Sequence, residues 1–85
     1  MAEEVEIGEV IHYFGKVGVA ALQLTGDLKV GDTIHVKGHT SDFTQTVESM
    51  QIDRNPITEA KAGQQVGIKV NEHARPGDKV YRVVE

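Results

Sequence analysis

Residues 28–36 read LKVGDTIHV, and the same arrangement recurs as AKAGQQVGI at 60–68 and ARPGDKVYR at 74–82. Each copy places a glycine before a polar residue and then an alternating run. Glycine tolerates the positive φ angle of a tight turn. The repeat therefore predicts three glycine turns that each lead into a β-strand, and we interpret it as one turn type reused within one fold; duplicated binding units are the alternative. The turn residues are Gly31, Asp32, Gly63, Gly77 and Asp78.

Apolar and polar residues alternate between these turns, and no stretch carries the 3.6-residue apolar stripe of a helix. The sequence therefore predicts an all-β fold. Six strands are expected, at residues 5–14, 17–24, 33–37, 43–53, 65–70 and 79–84.

Two of the expected strands change phase. In the first, Val5 and Ile7 share a parity that Val10 and Phe14 do not, and the fourth shifts near Ser49. An extra residue near Gly8 and another near Ser49 would return the apolar side chains to one face, as β-bulges do where a small barrel bends. We therefore expect a small closed or nearly closed six-stranded antiparallel barrel, with residues 1–85 as a single domain.

Composition narrows the function classes. The chain has 85 residues, no cysteine and a formal net charge of −4, so thiolate chemistry is excluded and a broad basic footprint for nucleic acid is disfavoured. Four aromatic residues are too few for an extended base-stacking platform. The first ten residues lack the pattern of a signal peptide, and no apolar run approaches a membrane span. A cytoplasmic protein without membrane contact is the expectation.

The sequence contains no recognisable catalytic motif. GKVG at 15–18 lacks the spacing and the hydroxyl of a P-loop, so GTP binding is not expected. Neither serine sits in a G-x-S-x-G elbow. Carboxylates such as Glu48, Asp53 and Glu59 carry no sign of the burial that would shift their pKa values. We expect a non-enzymatic protein that needs no cofactor.

The most polar run, KGHTSDFTQ at 37–45, raises the question of a metal or catalytic site. His35 and His39 are four residues apart, which is about 13 Å along an extended strand and too far for one zinc ion unless the chain bends at Gly38. Asp42 could orient His39, but no nucleophile accompanies the pair. We expect no metal and interpret the run as the bend between two strands.

Several segments together resemble domain II of the translation GTPases, the β-barrel that follows the GTPase domain in elongation factor Tu. The similarity covers about residues 8–83, and its marks are G-D at 31–32, V-x-S-M-Q at 47–51, E-A-x-A-G-x-x-V-G at 59–67 and G-D at 77–78. The chain is also similar to the C-terminal barrel modules of collagenase-like peptidases, to which KGHTSDFTQTVESMQI at 37–52 is closer.

The first resemblance implies a stand-alone binding module. In elongation factor Tu this domain helps to hold the 3′ end of tRNA, and Gln51, Glu59 and Lys61 occupy the corresponding strand and loop. The implied partner is tRNA or another RNA end, or a protein of translation or RNA modification.

The second resemblance implies a detached accessory domain that docks on a peptidase-like enzyme through protein contacts. Its interface rim would be the polar face of the third strand and the following loop. The residues concerned are Thr33, His35, Lys37, His39 and Asp42. In either case we expect a monomer or a weak dimer, the latter if a strand edge remains unpaired.

Overall fold

The computed structural model describes residues 3–84. Across this range the chain forms ten β-strands and no helix, so the all-β prediction is confirmed. The strands are β1 Glu3–Phe14, β2 Val19–Leu24, β3 Leu28–Lys29, β4 Thr33–Lys37, β5 Asp42–Thr46, β6 Met50–Ile52, β7 Asn55–Ile57, β8 Glu59–Ala60, β9 Gln65–Lys69 and β10 Lys79–Val84.

Eight strands form one antiparallel sheet in the order β5-β4-β10-β1-β2-β9-β6-β7, and β3 pairs with β8. Only three residues join β5 to β6, yet these strands lie near opposite ends of the sheet. The sheet must therefore curl back on itself, which makes the domain barrel-like. Within residues 3–84 the backbone ladder does not join the two end strands, so strand pairing does not close the barrel. The predicted count of six strands was too low.

The three glycine turns form as predicted. Gly31, Gly63 and Gly77 have φ angles of 99°, 93° and 95°, which non-glycine residues rarely adopt. In each turn the residue after the glycine donates its backbone N–H to the carbonyl three residues earlier. Its side chain also accepts a hydrogen bond from that same residue's backbone N–H, over 2.7 to 3.0 Å. The polar residue after each glycine therefore stabilises the turn through one backbone and one side-chain hydrogen bond.

Strand β1 contains two bulges, of which the sequence predicted one. The register with β10 shifts between Glu6 and Gly8, and as a result Ile7 and Val10 are both buried. A second shift, between Val10 and His12 against β2, was not predicted. It turns Phe14 outward, to 48% exposure, so the expectation that Phe14 shares the buried face of Val10 was wrong.

The predicted fourth strand is two strands. Residues 47–49 separate β5 from β6, and the break replaces the bulge expected near Ser49. Val47 is fully buried there, donates its N–H to the Asp32 carbonyl over 2.8 Å and accepts from the Gly31 N–H over 2.9 Å. The chain therefore leaves β4 and crosses to β9 at this point, anchored to the first glycine turn.

The core is aliphatic and lies between the curled faces of the sheet. Its largest fully buried side chains include Leu22, Leu24, Leu28, Ile34 and Ile68. Residues on the outer face alternate with them, as the two-residue period of strands requires. Residues 3–84 include no helix with the length and apolarity needed to cross a membrane.

Candidate functional site

The hairpin of β4 and β5 holds a histidine between two carboxylates. His35 pairs across the strands with Thr44 and, on its other side, with Tyr81 of β10. Its Nδ1 lies 2.9 Å from Oε2 of Glu4, and its Nε2 contacts Oδ1 of Asp42. A ring that donates from both nitrogens carries both protons, so this geometry fits an imidazolium.

The two carboxylates change the titration of this cluster. The hydrogen bond with Asp42, followed by that with Glu4, raises the pKa of His35 above its usual value of 6.5. The same bond with His35 lowers the pKa of Asp42 below 3.8. The His35 side chain is 15% exposed, whereas those of Glu4 and Asp42 are 43% and 70% exposed. Solvent therefore screens much of the attraction.

This cluster predicts a decline in stability as the pH rises through neutrality. Because His35 has a raised pKa in the folded state, its stabilising contribution is complete below the unfolded pKa and is lost as pH rises through the folded pKa. We expect the melting temperature to fall as the pH rises above about 6.5, the ordinary pKa of histidine. The fall should not exceed about 8 °C, because solvent screens the two exposed carboxylates that pair with His35.

The matched variants for this prediction are His35→Gln and His12→Gln, which each remove one histidine from the outer surface. The first should flatten the decline and the second should preserve it, since His12 lies outside the cluster. At the acidic end, Asp42 contributes stability above its unfolded pKa and loses it as pH falls through its lowered folded pKa. A decline that persists unchanged in His35→Gln would contradict the assignment.

The structure gives Asp42 a different partner from the His39 that the sequence suggested. This carboxylate binds His35 and not His39, because residues 38–40 form the turn and carry His39 away on an exposed tip. Lys37 is the cross-strand partner of Asp42 and contributes to the low pKa of that carboxyl. Among residues 3–84, no group of three histidine or acidic side chains is placed to hold a metal ion.

Glu59 and Lys61 lie in a different place, in a polar depression of about 210 Å³ beside the β3–β8 pair. Lys61 Nζ is 3.8 Å from Oδ2 of Asp27, and Arg82 donates to the Asp27 carbonyl over 3.2 Å. Gln51, the third residue implied by the elongation-factor resemblance, does not line this depression. The three residues are therefore not gathered in one pocket.

Gln51 instead lines an open trough of about 790 Å³ that crosses the outer faces of β1, β2, β9 and β6. Its lining includes Phe14 and Val17, which are 48% and 57% exposed. Sequence reasoning missed this surface, because it assigned Phe14 to the core and treated Val17 as part of a strand. The feature that reveals this surface is the second bulge in β1, between Val10 and His12, which places Phe14 on the outer face.

The sequence of this chain is similar to parts of known proteases. It is 43% identical over 83 residues to an uncharacterized protease of Methanocaldococcus jannaschii, a match that covers 96% of this chain and 20% of the relative. It is 35% identical over 82 residues to a collagenase of Porphyromonas gingivalis, covering 94% of this chain and 20% of that relative. The chain thus spans about a fifth of the length of these curated relatives. No protein-family model matches it.

The fold also matches solved structures. A crystal structure of the C-terminal domain of a Geobacillus thermoleovorans protein, assigned to the U32 peptidases, superimposes with a TM-score of 0.85 at 26% identity, covering 93% of this chain and 91% of that chain. Its selenomethionine form gives 0.84. The similarity to collagenase-like peptidase modules is therefore confirmed, and the elongation-factor interpretation receives no support from these relatives.

Proposed function

We propose that this domain is a non-catalytic accessory module that docks on a U32-peptidase-like or collagenase-like protein through protein contacts. The observation that carries the proposal is the match of almost the whole chain to one fifth of a protease from Methanocaldococcus jannaschii. In that relative, the part that matches this domain is joined to about four times its own length of further protease chain. That further chain is the natural protein partner of such a domain.

The geometry of the histidine cluster supports a non-catalytic role. Both ring nitrogens of His35 already contact carboxylate oxygens, one from Glu4 and one from Asp42. General base catalysis needs a ring nitrogen that is free to take a proton from a substrate. The cluster instead links the start of β1 to the β4–β5 hairpin, and we assign it a structural role.

The test is a pull-down with the tagged chain in extract of the source organism, with and without ribonuclease. We expect a peptidase-like polypeptide, identified by mass spectrometry, in both samples. Binding of the purified polypeptide should saturate in calorimetry, and the isolated chain should cleave no peptide substrate. Recovery that depends on RNA would instead support the translation-factor interpretation, and recovery of no peptidase would contradict the proposal.

A further inference from the structure

The trough on the outer face has a floor of small residues. The strand registers place Ala21 of β2 directly opposite Gly67 of β9, and Gly67 directly opposite Gln51 of β6. A Cβ atom on Gly67 would lie 3.2 Å from Val19 Cγ1 and 3.3 Å from Gln51 Cγ. The glycine therefore keeps the floor low between larger neighbours, and the trough runs across the strands.

One wall of the trough is apolar. Phe14 pairs with Val19 across β1 and β2, so both side chains lie on the outer face beside Ala21. Ile11 is the extra residue of the second bulge and is 40% exposed. Val17, in the turn after β1, is 57% exposed. All four side chains line the same trough, and exposed apolar side chains clustered in this way favour an interaction site.

The opposite wall carries amides. Gln65 lines the trough, and its Nε2 donates to Oε1 of Gln23 over 3.0 Å. Gln23 in turn donates to the Gly63 carbonyl over 3.3 Å. This chain of bonds holds the Gln65 side chain in place beside the floor. An apolar wall facing an ordered amide matches the chemistry of a polypeptide, which carries apolar side chains and backbone hydrogen-bonding groups.

A strained turn closes one end. Asp53 and Arg54 both have positive φ angles, of 50° and 67°, in the two-residue connection of β6 and β7 where Asn-Gly is the favoured pair. Strain of this kind tends to occur where a site needs particular side chains. Within residues 3–84 neither side chain joins an ion pair of 4 Å or less. Both remain available to a ligand.

The charge of the trough distinguishes between classes of ligand. Its twelve lining residues include one acid, Asp53, and one base, Arg54, so the lining carries no net charge. A nucleic-acid backbone requires several cationic contacts, which this surface does not offer. A polypeptide segment with alternating apolar side chains meets the apolar wall, the amides and a balanced pair of charges.

We propose that this trough binds an extended apolar segment of the peptidase-like partner. The inference rests on the proposed function and names its contact surface. The source of the segment follows from length, because four fifths of each curated relative lies outside the part that matches this domain. The proposal moves the interface from the polar β4–β5 hairpin to the face formed by β1, β2, β9 and β6.

The test compares two positions on the same strand. Phe14 lies in the trough and is 48% exposed, whereas Val5 lies outside it and is 45% exposed. Phe14→Ser should weaken binding of the purified peptidase-like partner by about tenfold or more, because exposed aromatic anchors dominate interfaces. Val5→Ser should change the affinity by less than about twofold. Calorimetry measures both, and thermal unfolding confirms that both variants fold.

A filling variant provides a second measurement. Ala21→Tyr raises the floor with a residue that strands favour and should reduce binding as much as Phe14→Ser does. If the wild-type chain binds the partner and both trough variants bind equally well, this inference fails while the proposed function stands. If the wild type binds no peptidase-like partner, both fail. Concentration-dependent dimers that Phe14→Ser abolishes, seen by light scattering, would assign the trough to a second copy and overturn the inference.

Discussion

Replacing Gly38 with alanine should destabilise the domain by about 3 kcal/mol or more, at or above the upper end of overpacking costs. A Cβ atom there would lie 1.8 Å from Oδ1 and 2.5 Å from Cγ of Asp78. Asp78 is only 4% exposed, and its Oδ2 accepts the Arg75 N–H over 3.0 Å. The carboxylate cannot move aside without breaking the third glycine turn, so the strain falls on the β4–β5 hairpin.

Urea unfolding of Gly38→Ala and Gly15→Ala measures this effect against a matched control. A Cβ on Gly15 would meet nothing nearer than Tyr13 at 3.5 Å, so the control should stay within about 0.5 kcal/mol of wild type. In the double variant Gly38→Ala/Asp78→Ala the clash disappears, and the combined loss should be smaller than the sum of the two single losses. Strict additivity, or a stable Gly38→Ala variant, would show that the contact is not strained.

Local patterns predicted the parts of the fold that depend on neighbours in sequence. The turns at Gly31, Gly63 and Gly77 follow from the need for positive φ, and the structure gives all three that conformation. Strands β4 and β10 begin and end at the predicted residues. The bulge near Gly8 follows from a change of apolar parity, because only one extra residue restores a single buried face.

Features set by distant contacts were not predictable in the same way. Strands β3, β7 and β8 have two or three residues each, which is too short for alternation to show. The break at residues 47–49 depends on Val47 bonding the first glycine turn, and the clash partner of Gly38 lies 40 residues away. These contacts form when the sheet curls back on itself, and the local sequence does not show which distant residues then meet.

The candidate site was likewise predictable only where its residues are close in sequence. The sequence named His35 and Asp42 as members of one polar group, and the hairpin register brings them together. It did not identify Glu4 as the second carboxylate, because this contact spans 31 positions along the chain. The apolar trough was missed for a more specific reason, since one unpredicted bulge residue, Ile11, changes which face of β1 carries Phe14.

Gln45, the last residue of the polar run KGHTSDFTQ, is the basis of the second prediction. Its side chain crosses the seam between β5 and the end of β9, two strands that no backbone ladder joins within residues 3–84. Its Nε2 donates to the Lys69 carbonyl over 2.8 Å, and its Oε1 accepts the Asn71 N–H over 2.7 Å. In the described part of the chain, strand β6 pairs with β9 only at Ile68 and Gly67. The backbone beyond Ile68 therefore bonds to the Gln45 side chain of β5 instead. Gln45 is 8% exposed. Gln45→Ala should therefore cost about 1–3 kcal/mol, the net contribution of two hydrogen bonds whose backbone partners, Lys69 and Asn71, are exposed residues.

A variant of equal size separates hydrogen bonding from packing. Gln45→Glu keeps the acceptor for Asn71, but an ionised carboxylate cannot donate to the Lys69 carbonyl. Because burial and the facing carbonyl oxygen disfavour the charge, the pKa of the new carboxyl should be raised in the folded state. Its penalty relative to wild type should therefore shrink as the pH is lowered through that pKa, since a protonated carboxyl can donate again. Urea midpoints of both proteins between about pH 4 and pH 8 measure this. A pH-independent difference would mean that Gln45 stabilises the seam by packing alone.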